Sequence, residues 1–158
     1  MIFIYSLCLL FQQNYNLTNY QKQNICKLES TIRTEAKRNS LEPELLASVI
    51  FVESSFIPWV VSRAGACGLT QVIPKWTGGN ETKKIKYTCN QLKNPVTSIK
   101  VGAKILSYAI RVYGNRSENL GLCIYNAGTK CITKKGFYKR SIYVKKVRNT
   151  YNKLVSGR

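Results

Sequence analysis

The chain has no histidine and no aspartate in 158 residues, and its single methionine is Met1. Each absence removes a class of chemistry. Ser-His-Asp and Cys-His nucleophile systems need an imidazole base, so neither can form here. Zinc sites built on histidine are excluded for the same reason. The six cysteines, at 8, 26, 67, 89, 123 and 131, include no Cys-x-x-Cys pair, the usual mark of a thiolate zinc site. The residues therefore imply no metal and no cofactor. A long hydrophobic run is also missing. The apolar stretch from Met1 to Phe11 falls short of the about 20 residues that span a bilayer as a helix. No stable transmembrane anchor is expected.

Negative charge is scarce. All seven acids are glutamate, at 29, 35, 42, 44, 53, 81 and 118, against 25 Lys and Arg, for a formal net charge of +18. After Glu118 there are ten Lys or Arg and no acid. Such a surface attracts polyanions: nucleic acid, anionic lipid or anionic cell-wall polymers. No helix-turn-helix, zinc-finger or RNA-binding signature accompanies the charge, so a basic nucleic-acid-binding module is the weaker alternative. Six dispersed cysteines suggest disulfides in an oxidising compartment. Cys89, Cys123 and Cys131 are the leading candidates, because they flank the irregular segment and the turn after Tyr125. Cys8 and Cys67, in apolar or Gly-rich surroundings, read equally as small buried thiols.

Residues 1–21 carry no charged side chain. Met1 to Phe11 resembles the apolar part of a secretory signal but lacks a basic start and a small-residue cleavage site. It reads as a signal or as a packing arm ahead of the main domain at 22–158. Hydrophobic periodicity predicts helices over 22–38, 43–54, 96–113, 118–125 and 141–154. Pro58, Pro74 and glycines at 65, 68, 78 and 79 leave 57–94 irregular, with at most a short hairpin in 68–90. The result is a mainly α single domain, large enough for a substantial core.

Glu53 ends an apolar run that begins at Leu45. Pro43 fits the first helical position, with Glu44 in the first turn. Leu46, Val49, Ile50 and Glu53 fall three or four apart and so share one face. A carboxyl on that face is desolvated, which raises its pKa toward the range a general acid needs. The plainer reading is a helix-end glutamate that reaches solvent.

Four pieces follow in order: Glu53-Ser54-Ser55-Phe56, the stretch Ser62 to Pro74 containing Gly65-Ala66-Cys67-Gly68-Leu69-Thr70-Gln71, Asn94-Pro95 leading into a helix with Gly102, and Gly121 to Gly128 containing Tyr125-Asn126-Ala127-Gly128. Tyr143-Val144 and Val147 follow. Together, across roughly residues 40–150, they resemble the transglycosylase domain of soluble lytic transglycosylases, a fold related to goose-type lysozyme. The resemblance implies an α+β lysozyme-like domain with 57–94 forming the cleft. It implies Glu53 as the single catalytic acid/base, Ser62 and Gln71 lining sugar subsites, Tyr125 beside Glu53, and Asn126 holding the turn and contacting substrate. The implied reaction cleaves the MurNAc–GlcNAc β-1,4 bond of peptidoglycan and leaves 1,6-anhydromuramoyl ends. A goose-type hydrolase is the alternative enzyme, with Glu81 as its second carboxylate. The implied setting is extracytoplasmic, for a monomer that meets glycan strands in its cleft and anionic wall polymers on its basic surface. Bacterial wall remodelling, secretion-system assembly and phage lysis or entry all fit these motifs, and the small, basic chain suits the phage roles. Three departures stand out, and Cys67 is the first, in a stretch where the family usually has a small residue or Met. Thr70 replaces a bulkier residue and would open the cleft floor. Lys139-Arg140 differs from the usual residues before the Tyr-Val helix.

Overall fold

Pro43 opens the helix around which the chain is wrapped. The computed structural model describes residues 5–78, 86–115, 117–132 and 141–157. Seven α-helices lie among them: α1 (Leu7–Asn14), α2 (Asn19–Arg38), α3 (Pro43–Ser54), α4 (Cys89–Leu92), α5 (Pro95–Tyr108), α6 (Glu118–Ala127) and α7 (Ile142–Ser156). Every residue of α3 from Glu44 to Ile50 is buried. A helix apolar all round must be covered all round. On one side Leu46, Ala47 and Ile50 pack with Leu10 and Phe11 of α1, Ile25 and Ile32 of α2, and Ile99 and Ala103 of α5. On the other, Leu45 and Val49 pack with Leu106 of α5, Leu122 of α6, and Val144 and Val147 of α7. The single core face expected for Leu46, Val49 and Ile50 is therefore corrected to two, because α6 and α7 close over the second side.

The helix ends follow local chemistry. Thr18 and Gln21 form a capping box at α2, as do Thr88 and Gln91 at α4. The Asn94 side chain accepts from the Thr97 N–H, with Pro95 at the first helical position of α5. Ser117 and Ser141 cap α6 and α7 in the same way. The expected helix over 96–113 turns out to be two pieces: α5, then a π-helical turn at Ala109–Tyr113. Gly121 of α6 lies against that turn. A Cβ there would come within 2.4 Å of the Ile110 side chain.

No β-ladder occurs among the described residues. The segment after α3 holds only two isolated antiparallel bridges, Val61 with Cys67 and Cys67 with Val72, just ahead of most of the expected hairpin range. A third small cluster of Cys67, Val72, Leu92 and Val101 seats this segment on α4 and α5.

All six cysteines are paired: Cys8 with Cys26, Cys67 with Cys89, and Cys123 with Cys131. The free-thiol reading of Cys8 and Cys67 is thus overturned. Each lies on a segment packed against another that carries a partner, with Cα–Cα separations of 4.7 and 5.5 Å, within disulfide range.

The N-terminal segment joins the core through α1, where Leu7, Leu10 and Phe11 are buried. Glu29 of α2 caps α1 by accepting from the Ser6 hydroxyl at 2.7 Å and from the Leu7 and Cys8 N–H groups at 2.9 and 3.2 Å. Arg33 pairs with the same carboxylate at 2.9 Å. Burial works to raise the Glu29 pKa, but these donors outweigh it and hold the carboxyl below its ordinary value. No described helix is long and apolar enough to cross a membrane.

Phe11 meets Phe56 edge-on at 5.3 Å and Phe51 at the same distance, so α1 supports the segment on both sides of Glu53. Phe11→Ala should therefore cost about 3–5 kcal/mol, as for a fully buried aromatic. Urea unfolding checks it. A loss under about 1 kcal/mol would mean that α1 adds little to the core.

Candidate active site

The chain turns sharply just beyond Glu53. Ser55 and Phe56 both take left-handed backbone conformations, with φ of 51° and 61°. Two such non-glycine residues in a row cost on the order of 1–3 kcal/mol each and need support. The support is polar. Gln21 and Asn24 of α2 donate their side-chain amides to the Ser55 and Phe56 carbonyls, at 3.2 and 2.9 Å. The Ser54 hydroxyl reaches the Leu69 carbonyl at 2.8 Å. The turn ends α3 inside the molecule and leaves the Glu53 carboxyl largely buried.

The following loop is built on its own backbone. Ser62 and Ala66 close a turn in which the Ser62 hydroxyl accepts from the Ala66 N–H at 3.1 Å. Gly68 has φ of 80°, and a Cβ there would stand 1.9 Å from the Leu92 carbonyl oxygen, so no other residue fits. Gln71 is also left-handed, at 49°. Its amide nitrogen donates to the Val60 and Gly68 carbonyls at 3.0 and 2.9 Å, which commits that nitrogen to the loop. The Cys67–Cys89 bond ties the loop to α4.

Thr70 lies next to this loop and does not open the cleft floor, contrary to the sequence expectation. It is fully buried, with its hydroxyl donating to the Ser98 carbonyl at 2.9 Å and its Cβ pressed toward Gly102. The side chain is turned into α5, where the missing Gly102 side chain makes room. The Thr70 carbonyl faces the other way and accepts the Tyr125 hydroxyl at 2.6 Å.

That bond holds Tyr125 of α6 in the neighbourhood of the Glu53 carboxyl, within reach of its charge. Tyr143 of α7 approaches the same carboxyl from a second side. Its hydroxyl is buried and has no hydrogen-bond partner at standard distances among the described residues, yet it lies near enough to Glu53 for each group to shift the other's pKa. Burial pushes the Glu53 pKa up to about 7, while the Tyr143 hydroxyl pulls it the other way. None of the three ion pairs among the described residues involves Glu53. Burial and then the Glu53 charge push both tyrosines above their ordinary values, so they stay protonated and can donate. Burial alone does not single out Glu53, since Glu35 and Glu44 are buried too. Glu35 differs in being paired with Arg38 at 2.7 Å.

Of the residues expected at the site, Tyr125 lies near enough to Glu53 to feel its charge. Ser62 and Gln71 stand in the adjoining loop. Asn126 lies exposed in the last turn of α6, before Gly128 with φ of 63°. Glu81 falls outside the described residues. The Tyr143 hydroxyl is the partner that sequence reasoning missed. Its signal was present in the Tyr143-Val144 pair that opens α7, but the pair was read for its pattern and not for its oxygen. No group of Cys or Glu among the described residues is arranged to hold a metal ion.

Among the described residues, a largely desolvated Glu53 carboxyl with Tyr143 and Tyr125 nearby is the candidate site of this helical domain. Residues 30–147 match the family model of the transglycosylase SLT domain, and the chain belongs to that family. Membrane-bound lytic murein transglycosylase E of Buchnera aphidicola is 29% identical over 102 residues, covering 61% of this chain and 46% of that protein. Membrane-bound lytic murein transglycosylase C of Histophilus somni is 28% identical over 131 residues, covering 76% of this chain and 36% of that protein. The chain thus spans less than half the length of these curated relatives. The lytic transglycosylase Slt of Pseudomonas aeruginosa, solved as an inactive Glu-to-Gln mutant, shares the fold, with a TM-score of 0.61 and 20% identity. That match covers 91% of this chain and 25% of that one.

The raised Glu53 pKa has a stability consequence with a definite sign. The folded state holds this proton up to about pH 7, whereas an unfolded carboxyl releases it near 4.5. Glu53 therefore destabilises the fold progressively as pH rises from the lower value through the higher. Glu53→Gln removes that penalty and should stabilise the protein by roughly 1–3 kcal/mol at pH 8. The gain should shrink toward pH 4. Thermal melts of both proteins across this range decide it, and a pH-independent difference would count against a desolvated carboxyl.

Proposed function

We propose that this chain is a peptidoglycan lytic transglycosylase that cleaves the MurNAc–GlcNAc β-1,4 bond with Glu53 as its only acid and base. One observation carries the reading: a buried carboxyl with a pKa near 7 that no other described carboxylate perturbs. Such a group is half protonated at neutral pH and can act in both directions. Glu53 gives its proton to the bridging oxygen as the bond from that oxygen to the muramoyl C1 breaks. The muramoyl C6 hydroxyl then forms the new bond to C1 and passes its proton to the Glu53 carboxylate. The acid is restored, no water is consumed, and the product carries a 1,6-anhydro ring. An attacking group already tethered to the substrate has a large effective concentration, so a second carboxylate to activate water is unnecessary.

The surrounding residues take supporting parts. Tyr143 donates toward the Glu53 carboxylate after proton transfer. Tyr125, tied to the Thr70 carbonyl, offers its ring edge as one wall of the sugar site. Ser62, the carboxamide oxygen of Gln71, and Asn126 bind sugar hydroxyl and acetamido groups. The relatives from Buchnera and Histophilus are named lytic murein transglycosylases, which supports the same activity here. Three disulfides favour an oxidising compartment outside the cytoplasm. Lys145, Lys146 and Lys153 stand exposed on α7, a cationic face for anionic wall polymers. The protein acts as a monomer on glycan strands.

Glu53→Gln should lower wall lysis by about 10²–10⁴-fold, the worth of a positioned acid. Mass spectrometry of products from the parent protein should find muramoyl ends lighter by one water than reducing ends. Activity should fall above about pH 7, as Glu53 loses its proton. Tyr143→Phe removes a group that lowers this pKa, so the alkaline limb should move to higher pH. A limb that moved down would remove Tyr143 from contact with the acid.

Glu81→Gln should change the rate by less than about twofold, since no second carboxylate takes part in this scheme. A loss as deep as that of Glu53→Gln, with reducing ends in the digest, would convert the reading to a goose-type hydrolase.

A further inference from the structure

We infer that Tyr20 and Trp59 form an additional glycan subsite, an aromatic platform on which a pyranose ring of the wall strand stacks beyond the Ser62–Gln71 loop. The inference rests on the glycan-cleaving reading and extends it to residues outside the motifs that carry it.

The two rings come from different elements and meet at the surface. Their centroids are 5.0 Å apart and their planes are tilted by 51°. Trp59 is 58% exposed and Tyr20 39%, whereas Phe11 and Phe56 are fully buried. An aromatic serving only the core would be covered as those two are. Val61, two residues on, is 47% exposed and extends the same apolar strip. A contiguous exposed apolar patch of this kind marks a binding surface more often than a packing accident.

The position of the patch identifies its occupant. Trp59 lies between the turn that ends at Phe56 and the loop that carries Ser62. Its neighbour Val60 accepts from the Gly68 N–H and from the Gln71 amide, both at 3.0 Å. Tyr20 precedes Gln21, whose amide holds the Ser55 carbonyl. Both residues therefore sit one position along the chain from groups that hold the turn after Glu53 and the Gln71 loop, and their rings pack on each other. A platform held before binding spares the ligand much of the ordering cost. A β-1,4 glycan is a stiff ribbon whose pyranose faces expose C–H groups and whose edges carry hydroxyls. An indole matches that pattern, with an apolar face for the ring and an N–H at its edge for a hydroxyl. A polymer substrate necessarily runs past the bond that is cut, and binding energy gained at such a remote unit can be used at the reacting one.

The test uses N-acetylglucosamine oligomers, a disaccharide and a hexasaccharide, and isothermal titration of the 158-residue chain carrying Glu53→Gln so that nothing is cleaved. Adding Trp59→Ala should weaken hexasaccharide binding by about tenfold, the scale of one lost aromatic contact, and disaccharide binding by no more than about twofold. Trp59→Phe should recover most of the loss, and Tyr20→Ala should reproduce part of it. Unchanged hexasaccharide affinity in Trp59→Ala would overturn the subsite. Equal losses for both lengths would overturn it too, because they would mean that Trp59 only props the loop. Binding to vesicles of anionic lipid that depends on Trp59, with glycan binding intact, would reassign the patch to a membrane surface. Digestion of purified wall by the parent protein tests the underlying activity separately. A protein that yields anhydro ends but shows no length-dependent loss in Trp59→Ala keeps its activity and loses only the subsite.

Discussion

The structure depends on one constraint: α3 is apolar on every side and must be covered on every side. Interiors pack as densely as organic crystals, so a helix enclosed in this way has one register and one rotation. Leu46 and Ile50 fix it against α1, α2 and α5, and Leu45 and Val49 fix it against α5, α6 and α7. Glu53 inherits that fixed frame. Its side chain sits where the apolar cover ends, close enough to the core to lose solvent and too near the surface to be sealed. The two left-handed residues that follow make the stop abrupt, and the Gln21 and Asn24 amides make it stable. A flexible exit would let water reach the carboxyl and return its pKa to the ordinary range.

A second set of interactions joins the elements around the site without adding apolar area. Thr70 uses its N–H and its hydroxyl on Ser98 of α5 and its carbonyl on Tyr125 of α6. Gly102 and Gly68 allow the close approaches that bring these groups together. Hydrogen bonds of this kind are buried and fully committed, so breaking one leaves a polar group without water or partner. They act less as a reservoir of stability than as a set of distances. Through Thr70 these bonds tie α6 to α5 beside the carboxyl.

Much of this was legible in the sequence, and the exceptions share a cause. Pro43, the apolar run and the terminal Glu53 predicted α3 to the residue, because helix starts and acid placement are local signals. The α2, α6 and α7 helices were legible for the same reason, with α2 starting three residues earlier behind Thr18, α7 one later behind Ser141, and α6 and α7 each running two residues further at the C-terminal end. The second buried side of α3 was not legible, since it is supplied by α6 and α7 from the far end of the chain. Nor was the direction of the Thr70 side chain, which is decided by a glycine on another helix. The π-helical turn after Tyr108 is invisible to an apolar spacing that continues smoothly through it. The cysteine pairs Cys8–Cys26 and Cys67–Cys89 needed the packing of α1 on α2 and of the loop on α4. At the candidate site, Glu53 and Tyr125 were named from pattern, whereas the approach of the Tyr143 hydroxyl is set by tertiary contact that no local pattern carries.

In the proposed mechanism, that oxygen resolves a tension in single-carboxylate chemistry. A general acid must keep its proton at working pH, which burial achieves by disfavouring the charged form. The same residue must then exist as a carboxylate, which burial makes costly. With burial alone the pKa would lie higher, and catalysis is most effective when it lies close to the ambient pH. Tyr143 acts on the charged form, because a hydroxyl donor is attracted to a carboxylate far more than to a neutral acid. Its raised pKa keeps it a donor throughout. Tyr125 cannot serve in the same way while its hydrogen is committed to the Thr70 carbonyl. The two tyrosines therefore divide the work. One holds the geometry, the other limits the cost of charge, and the resulting pKa near 7 is a balance of burial against a single hydrogen-bond donor.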